Sequence, residues 1–453
     1  MNYLSDLNWT YFEVILLIIV FVIGFLFTYF TIPYIIKHMT RKGHVGIDIH
    51  KNSKPKVAES GGLGIVIGFT VSCIFLILFF PSFSKEILIF LLTVLLAGLI
   101  GYIDDKIRLR SRYKILLSIF SGSVFFFANI IGFITITSPT IPFLDKTRLT
   151  IIYPFMVPII IAVFTNTVNM LEGYNGEGSG TCLIAVFFLL ICGIIWNSAE
   201  AIIFTVPVIA ILIPFFIYNK FPAKIFPGDI GTLSMGAMVA GIMLFGSLEI
   251  AAFCALLIHI FNSFYVLYSV RGFIESGDIR GSRDDIILLE NDQIRASDQK
   301  NAILTLPRLI LAKGPLREPE LVKNFYAISV ICGFFSIISI LIMQFTSRNI
   351  EFYVIILVFF ILLIPTLVIL YKFPRIRGVI VLMVILLVTI LILLLLIEIF
   401  IMPLPLEDID LKFVIIPVNL IISLLLIIPI LLIWYLITIK YFWMQINKMK
   451  KSS

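Results

Sequence analysis

The sequence predicts an all-α fold: a polytopic bundle of about thirteen transmembrane helices, N-terminus outside and C-terminus cytoplasmic. Three observations lead there. The 453 residues are 60% hydrophobic and only 13% charged, against about 45–50% and about 25% in soluble domains, which excludes a soluble globular enzyme. Apolar runs of roughly 17–25 residues, long enough to cross a bilayer as helix, recur along the chain. Basic residues fall on alternate connections. Apart from Lys85, Lys146, Arg148, Arg348 and Lys412, every Lys and Arg lies in 37–60, 104–114, 219–230, 271–324, 372–377 or the tail from 440. The positive-inside rule makes those segments cytoplasmic. The same distribution accounts for the net charge of +7 without a nucleic-acid partner, because no soluble domain presents a basic face.

The expected spans are 11–36, 61–81, 86–103, 115–137, 150–165, 179–196, 201–218, 231–247, 250–270, 325–346, 352–371, 378–402 and 413–439. The first lacks a preceding basic region and is too long for a signal-peptide core, so it reads as a retained span. The fifth is the shortest and carries Pro154 and Pro158. Cytoplasmic loops are long and rich in charge, Gly and Asn, whereas outer connections are short, so the chemistry belongs on the cytoplasmic face. The last three spans are nearly devoid of polar groups. This divides the chain into a ten-span working domain, 1–350, with 271–324 as its largest cytoplasmic segment, and a C-terminal region, 351–453. The five cysteines all sit in apolar runs without metal-ligand spacing, indicating neither a disulfide framework nor a zinc site.

Four polar constellations stand at cytoplasmic span ends. In GYIDDKIRLRSRYK, 101–114, the pair Asp104 and Asp105 is followed by five cations. Such carboxylates can hold a hard divalent cation or take a proton, or simply mark a snorkelled membrane boundary. In TNTVNMLEGYNGEGSGT, 165–181, Asn166, Asn169, Glu172 and Asn175 gather among glycines that let backbone approach a ligand. The segment is not a P-loop, since GK[ST] is missing. In KIFPGDIGTLSMGA, 224–237, Asp229 opens a span, where it can cap the helix or bind metal. Phe226 can stack on a planar base or anchor the chain at the interface. The long loop RGFIESGDIRGSRDDIILLENDQIRASDQK interleaves Arg271, Arg280 and Arg283 with acids, as either a solvated surface or a phosphate-binding fork. His38, His44 and His50 share no helical face and read as solvated. His259, inside the ninth span, reads as a satisfied structural residue beside Asn262.

With the early loop GIDIHKNSKPKVAESGG, these segments resemble the polyprenyl-phosphate N-acetylhexosamine-1-phosphate transferases, and most closely the eukaryotic and archaeal branch that uses UDP-GlcNAc and dolichyl phosphate. Five motifs recur in the family's order between residue 11 and about 346: G-x-D-x(10)-E-S-x-G, G-[FY]-x-D-D-x(8)-K, N-x-x-N-x-x-x-G-x-N-G, [FV]-x-G-D and KGPLRE, similar to GPIHE. The resemblance implies that Asp104 and Asp105 are the catalytic pair with Lys114 on the phosphate side. It implies that Asn169 and Asp229 hold Mg2+, with Mn2+ as the alternative ion, and that Phe226 stacks on uracil. Asp48, Ile49, Glu59 and Asn175 would line the uridine pocket, with Asn166 nearby. Arg280 would meet sugar and pyrophosphate, with Arg283 as the alternative in a shifted register. The last loop, 271–324, has no histidine, unlike the muramoyl-pentapeptide branch, and Gly277-Asp278-Ile279-Arg280 replaces the eukaryotic Pro-Arg-His-Arg cluster. The spans after about 350 match no family counterpart.

The implied reaction is attack of a lipid phosphate on the β-phosphorus of UDP-GlcNAc, giving polyprenyl-PP-GlcNAc and UMP, the first step of lipid-linked oligosaccharide synthesis for N-glycosylation. Two anions must approach, so a cation and fixed positive charges must offset them. Whether Asp104 or Asp105 positions the acceptor, takes its proton or forms a covalent bond stays open. The alternatives are the same transfer with another UDP-N-acetylhexosamine for a cell-wall or surface polysaccharide, or a secondary transporter. A transporter should show mid-membrane charge and inverted repeats, which the sequence does not display. The partners are then UDP-GlcNAc, a polyprenyl or dolichyl phosphate and the bilayer, with a homodimer left open. The location is an archaeal or other prokaryotic cell membrane, with the endoplasmic reticulum membrane as alternative.

Overall fold

A computed structural model describes residues 10–136, 139–143, 145–146, 152–270, 283–348, 350–401, 409–410, 415–416 and 418–452. Among them 12 helices are long and apolar enough to cross a membrane, or 13 if one bent pair counts as a span. The chain is an all-α polytopic membrane bundle. Its helices are α1 (Tyr11–Arg41), α2 (Gly62–Phe79), α3 (Ser84–Ile107), α4 (Ser111–Ile130), α5 (Ile152–Leu171), α6 (Glu177–Trp196), α7 (Ala199–Asn219), α8 (Gly228–Gly246), α9 (Glu249–Ala255) and α10 (Leu257–Val270). After a short α11 (Leu306–Leu311) come α12 (Glu318–Arg348), α13 (Phe352–Lys372), α14 (Arg377–Phe400) and α15 (Val418–Ser452). The expected ninth span is the pair α9 and α10, bent by 66° at Leu256.

Several boundaries differ from the hydropathy reading in one direction. Helix α3 continues through Asp104 and Asp105, α5 through Asn166 and Asn169, and α8 takes in Asp229. Near a bilayer the backbone's N–H and C=O groups are most cheaply satisfied inside the helix. The helix therefore outlasts the apolar side chains, and the functional polar groups ride on rigid helical turns. The proline-bearing fifth span is a full helix, with Pro158 packed against Gly122 of α4, where an added Cβ would come within 2.7 Å of Pro158 Cα.

Helix α8 is the hub, in contact with α2, α3, α5, α6, α7 and α9. Its small-residue sequence makes this possible, since close helix approach in a membrane depends on packing rather than hydrophobic expulsion. A Cβ on Gly236 would sit 2.4 Å from Thr165 Cα of α5, and one on Gly101 of α3 would sit 2.4 Å from the Asp229 carbonyl. Gly62 of α2 meets Gly231 as tightly, its added Cβ falling 2.1 Å from Gly231 N. A second core joins α10, α11 and α12 to α14 and α15 through Phe261, Tyr265, Phe325, Met383, Trp434 and Phe442.

Two small sheets cap one end of the bundle. Antiparallel β1 (Val45–Ile47) and β2 (Lys56–Ala58) form a hairpin. Its Ala58 bridges Ile225 before α8, with Phe226 N–H donating to Ala58 O at 2.8 Å. The other sheet is β3 (Ile286–Leu288), β4 (Gln293–Ala296) and β5 (Leu316–Arg317), antiparallel throughout, and two further two-residue ladders pair 140–141 with 145–146 and 409–410 with 415–416. The two capping sheets are pinned together by Asn52, which donates from its backbone and its amide to Asp292 Oδ1, both at 2.8 Å, and from its amide to Leu289 O at 2.8 Å.

Candidate active site

The first polar centre forms where α3, α4, α5 and α8 meet. Lys114 Nζ, on the first turn of α4, lies 2.6 Å from Asp104 Oδ2 and 2.9 Å from Asp229 Oδ2, and donates to Asn169 Oδ1 at 3.1 Å. Asn169 donates in turn to Asp229 Oδ1 and, at 2.7 Å, to Thr232 Oγ1. Asp105 accepts the Asp229 backbone N–H at 2.8 Å, and Ser60 Oγ stands 3.5 Å from its other oxygen. Asp104 is buried and accepts the Leu109 N–H at 2.6 Å just past the end of α3. Local geometry fixes this arrangement. Gly228 has φ +63°, and a Cβ there would fall 2.6 Å from Asp105 Oδ2, so glycine lets the start of α8 lie against the α3 carboxylate.

Lys114 thus sets one positive charge against three carboxylates. Its ammonium already sits among oxygens of Asp104, Asp229 and Asn169. An all-oxygen donor set with surplus negative charge suits a hard divalent ion.

The second centre joins the turn after β1 to the start of α12. Asn175 donates from Nδ2 to Asp48 Oδ2 at 3.1 Å and from its backbone N–H to Glu318 Oε1 at 2.7 Å. Lys51 pairs with Asp48, lies 3.4 Å from Glu318 Oε2, and stands 4.6 Å from the centroid of the Phe221 ring. Asp48, His50 and Glu318 are all buried and bring potential ligand atoms within 4.8 Å of one another. The Lys51 ammonium offsets part of the negative charge of this cluster. His50, expected to be solvated, is buried and stacks on Tyr174 with ring centroids 4.3 Å apart. Its backbone is drawn inward by Asp48, which accepts the His50 N–H at 3.2 Å.

Between the centres, residues 172–177 are shaped by two acids, Glu172 half-buried and Glu177 fully buried. Glu172 accepts the Gly178 N–H at 2.6 Å, and Glu177 accepts the Gly173 and Tyr174 N–H groups at 3.0 and 3.1 Å. Burial raises the Glu172 carboxyl to about 8, only partly opposed by the Gly178 N–H. Gly176, at φ +77°, supplies the turn.

The structure gathers Asp104, Asp105, Lys114, Asn169 and Asp229 in one centre and Asp48 and Asn175 in the other. Phe226 is half-buried at the hairpin junction, while Ile49 and Glu59 are exposed on the hairpin. Asn166 joins neither centre: its amide donates to Ala162 O of its own helix at 2.8 Å. Arg283 is occupied structurally, donating to Asn301 O at 2.6 Å and Ser269 O at 2.7 Å. Arg280 lies outside the described residues. Sequence reasoning missed Lys51, Tyr174 and Glu318. The final Glu of KGPLRE was the available signal for Glu318. It also missed Arg308, which is fully buried and donates to Ser297 O, Ala302 O and Gln299 O at 3.1, 2.8 and 2.7 Å, fixing the loop before α11. His259 is fully buried with Nε2 3.0 Å from Thr181 Oγ1, but it is not fully satisfied as expected: its Nδ1 has no hydrogen-bond partner among the described residues, and Asn262 donates to Met170 O and accepts the Leu306 N–H instead.

Residues 87–247, which hold α3 to α8 and the first centre, match the family described as glycosyl transferase family 4. A provisionally named glycosyltransferase of Methanocaldococcus jannaschii is 30% identical over 328 residues, 71% of this chain and 95% of the relative. A protein of Saccharolobus solfataricus, provisionally named a UDP-N-acetylglucosamine–dolichyl-phosphate N-acetylglucosaminephosphotransferase, is 32% identical over 52% of this chain and 72% of its own length. A phospho-N-acetylmuramoyl-pentapeptide-transferase of Streptococcus uberis is 29% identical over 55% of this chain and 79% of its own. With a relative 30% identical over 71% of this chain and 95% of its own length, and the family match over residues 87–247, the chain belongs to glycosyl transferase family 4.

Proposed function

We propose that the protein transfers N-acetylglucosamine 1-phosphate from UDP-GlcNAc to a membrane polyprenyl phosphate, releasing UMP, at a cytoplasmic site. The observation that carries this reading is the first centre: three carboxylates, one lysine and an asparagine on four helix ends beside the membrane, where a lipid phosphate and a nucleotide pyrophosphate can meet. The names of the archaeal relatives favour dolichyl phosphate as acceptor and UDP-GlcNAc as donor.

Each residue has a part in this chemistry. Asp229, Asn169 and Asp105 would hold Mg2+, which when bound offsets charge on the pyrophosphate and the leaving UMP. Lys114, released from Asp104 and Asp229 as phosphate oxygens arrive, meets the incoming negative charge. Asp104, fixed by the Leu109 N–H, orients the acceptor phosphate. Asn175 and Asp48 face the uridine, held by Glu318 and Lys51, and Phe226 stacks on its base. Arg280 meets the sugar phosphate.

Purified protein given UDP-GlcNAc, dolichyl phosphate and Mg2+ is expected to release UMP, to stop on chelation with EDTA and to resume with Mg2+ or Mn2+. Absence of UMP with every UDP-N-acetylhexosamine and polyprenyl phosphate would refute the reading.

A further inference from the structure

The last three helices meet the rest of the chain at a seam where cations face cations. Lys313 Nζ donates to Arg375 O at 2.9 Å and Pro374 O at 3.4 Å, while Arg375 Nη1 donates to Gly314 O at 2.5 Å. Each of these two cations donates to the other segment's carbonyls, and the Glu320 carboxylate adds a favourable field at Arg375. Desolvation, with the positive fields of Arg375, Arg377 and Lys448, holds the Lys313 ammonium below its usual range.

Beside this pair lies a cavity of about 210 Å³ whose lining includes Lys323 of α12, Lys372 at the end of α13, Arg375, Asn324, Glu320 and Phe373. Glu320, the acid among them, accepts the Arg317 N–H at 3.0 Å through Oε2. Lys323 and Lys372 make no hydrogen bond or ion pair among the described residues. Below Lys372, α13 buries no residue, and Ile364, Leu367 and Val368 present an apolar flank at the membrane level. The positive-inside tendency accounts for basic residues at each span end. It does not account for cations from two segments about fifty residues apart, Lys323 on one side and Lys372 and Arg375 on the other, converging on one cavity with a single acid.

We propose that this seam binds the phosphate headgroup of an anionic membrane lipid, with Lys323, Lys372 and Arg375 around the phosphate and the α13 flank along an acyl chain. The cations draw the headgroup from the leaflet, each basic group adding to the attraction near the surface. The apolar flank selects a lipid over a free anion. This site is separate from the transferase centre and stands or falls independently of it.

The test is thermal melting of the full chain in a neutral detergent, titrated with phosphatidylglycerol, phosphatidylcholine or inorganic phosphate. Phosphatidylglycerol should raise the Tm saturably and phosphatidylcholine should not. In K323Q/K372Q, whose lysines are exposed, the apparent affinity for phosphatidylglycerol should fall about tenfold or more. Native mass spectrometry should show a retained anionic lipid on the parent that the variant loses. An equal response of parent and variant, no response of the parent, or an equal shift with inorganic phosphate alone would overturn the proposal.

Discussion

Lys114 is held between Asp104 and Asp229 at 2.6 and 2.9 Å, while Asp105 accepts the Asp229 backbone N–H at 2.8 Å, so the three carboxylates have different partners within one centre. Replacing Asp105 or Asp229 by Asn keeps the shape and removes one charge from the cation-holding set. Each is expected to lower turnover by at least about a hundredfold while leaving the melting temperature near that of the parent, read by initial rates and thermal melts. Parent-like rates in either would refute these roles. Glu172 offers a different test, because it titrates outside the spans. Its folded pKa of about 8 exceeds the ordinary 4.5, so its contribution is fully present below pH about 4.5 and is lost as pH rises toward 8. Glu172→Gln should therefore gain stability relative to the parent as pH goes from 5 to 8.5, and a difference independent of pH would contradict the burial. Asp104, Asp105, Asn169 and Asp229 were legible in the sequence because each sits in a short motif at a span end. Lys51 and Glu318 were not, since their meeting depends on a hairpin and the start of α12 converging from distant parts of the chain. The same convergence buried His50, which sequence alone left in water.

At the scale of elements, the centre depends on how closely α3 and α2 approach α8. An added Cβ at Gly101 would come within 2.4 Å of the Asp229 carbonyl. Gly101→Ala should thus push apart the helices bearing Asp105 and Asp229, costing about 1–3 kcal/mol of stability and most of the activity, measured by denaturation and turnover together. A fully active and stable variant would show that the crossing tolerates expansion. Asn52 pins the hairpin to the sheet of the last loop, so Asn52→Ala should raise the KM for the nucleotide sugar severalfold with little change in kcat. Apolar run lengths revealed nearly every span, including the proline-bearing fifth. The ends were less legible, because helical hydrogen bonding continues into polar residues that hydropathy counts as loop. The 66° bend between α9 and α10 likewise has no hydropathy signature, as Leu256 is apolar like its neighbours.

For the whole molecule, the alternating placement of basic residues predicts that the motif-bearing end faces the cytoplasm. All five cysteines are buried, so Glu290→Cys supplies a single exposed thiol. It should react with an impermeant maleimide only in inside-out vesicles, and labelling of right-side-out vesicles would invert the topology. The division at about 350, suggested by polarity, does not mark a loose appendage. Trp434 donates to Leu382 O at 2.9 Å and packs 5.2 Å from Phe261, and Phe442 packs against Tyr265 at 5.1 Å. Hydropathy could not show this, because lipid-facing and helix-facing leucines look alike in sequence. In the proposed reaction a sugar phosphate, not a sugar, moves between two phosphates beside Lys114. This is tested most directly with UDP-GlcNAc carrying radiophosphorus in its β-phosphate, incubated with the protein, dolichyl phosphate and Mg2+. The label is expected to leave the nucleotide and appear in the lipid fraction, one label for each UMP released. Label that stays in the nucleotide as UDP while the sugar reaches the lipid would contradict the proposed reaction.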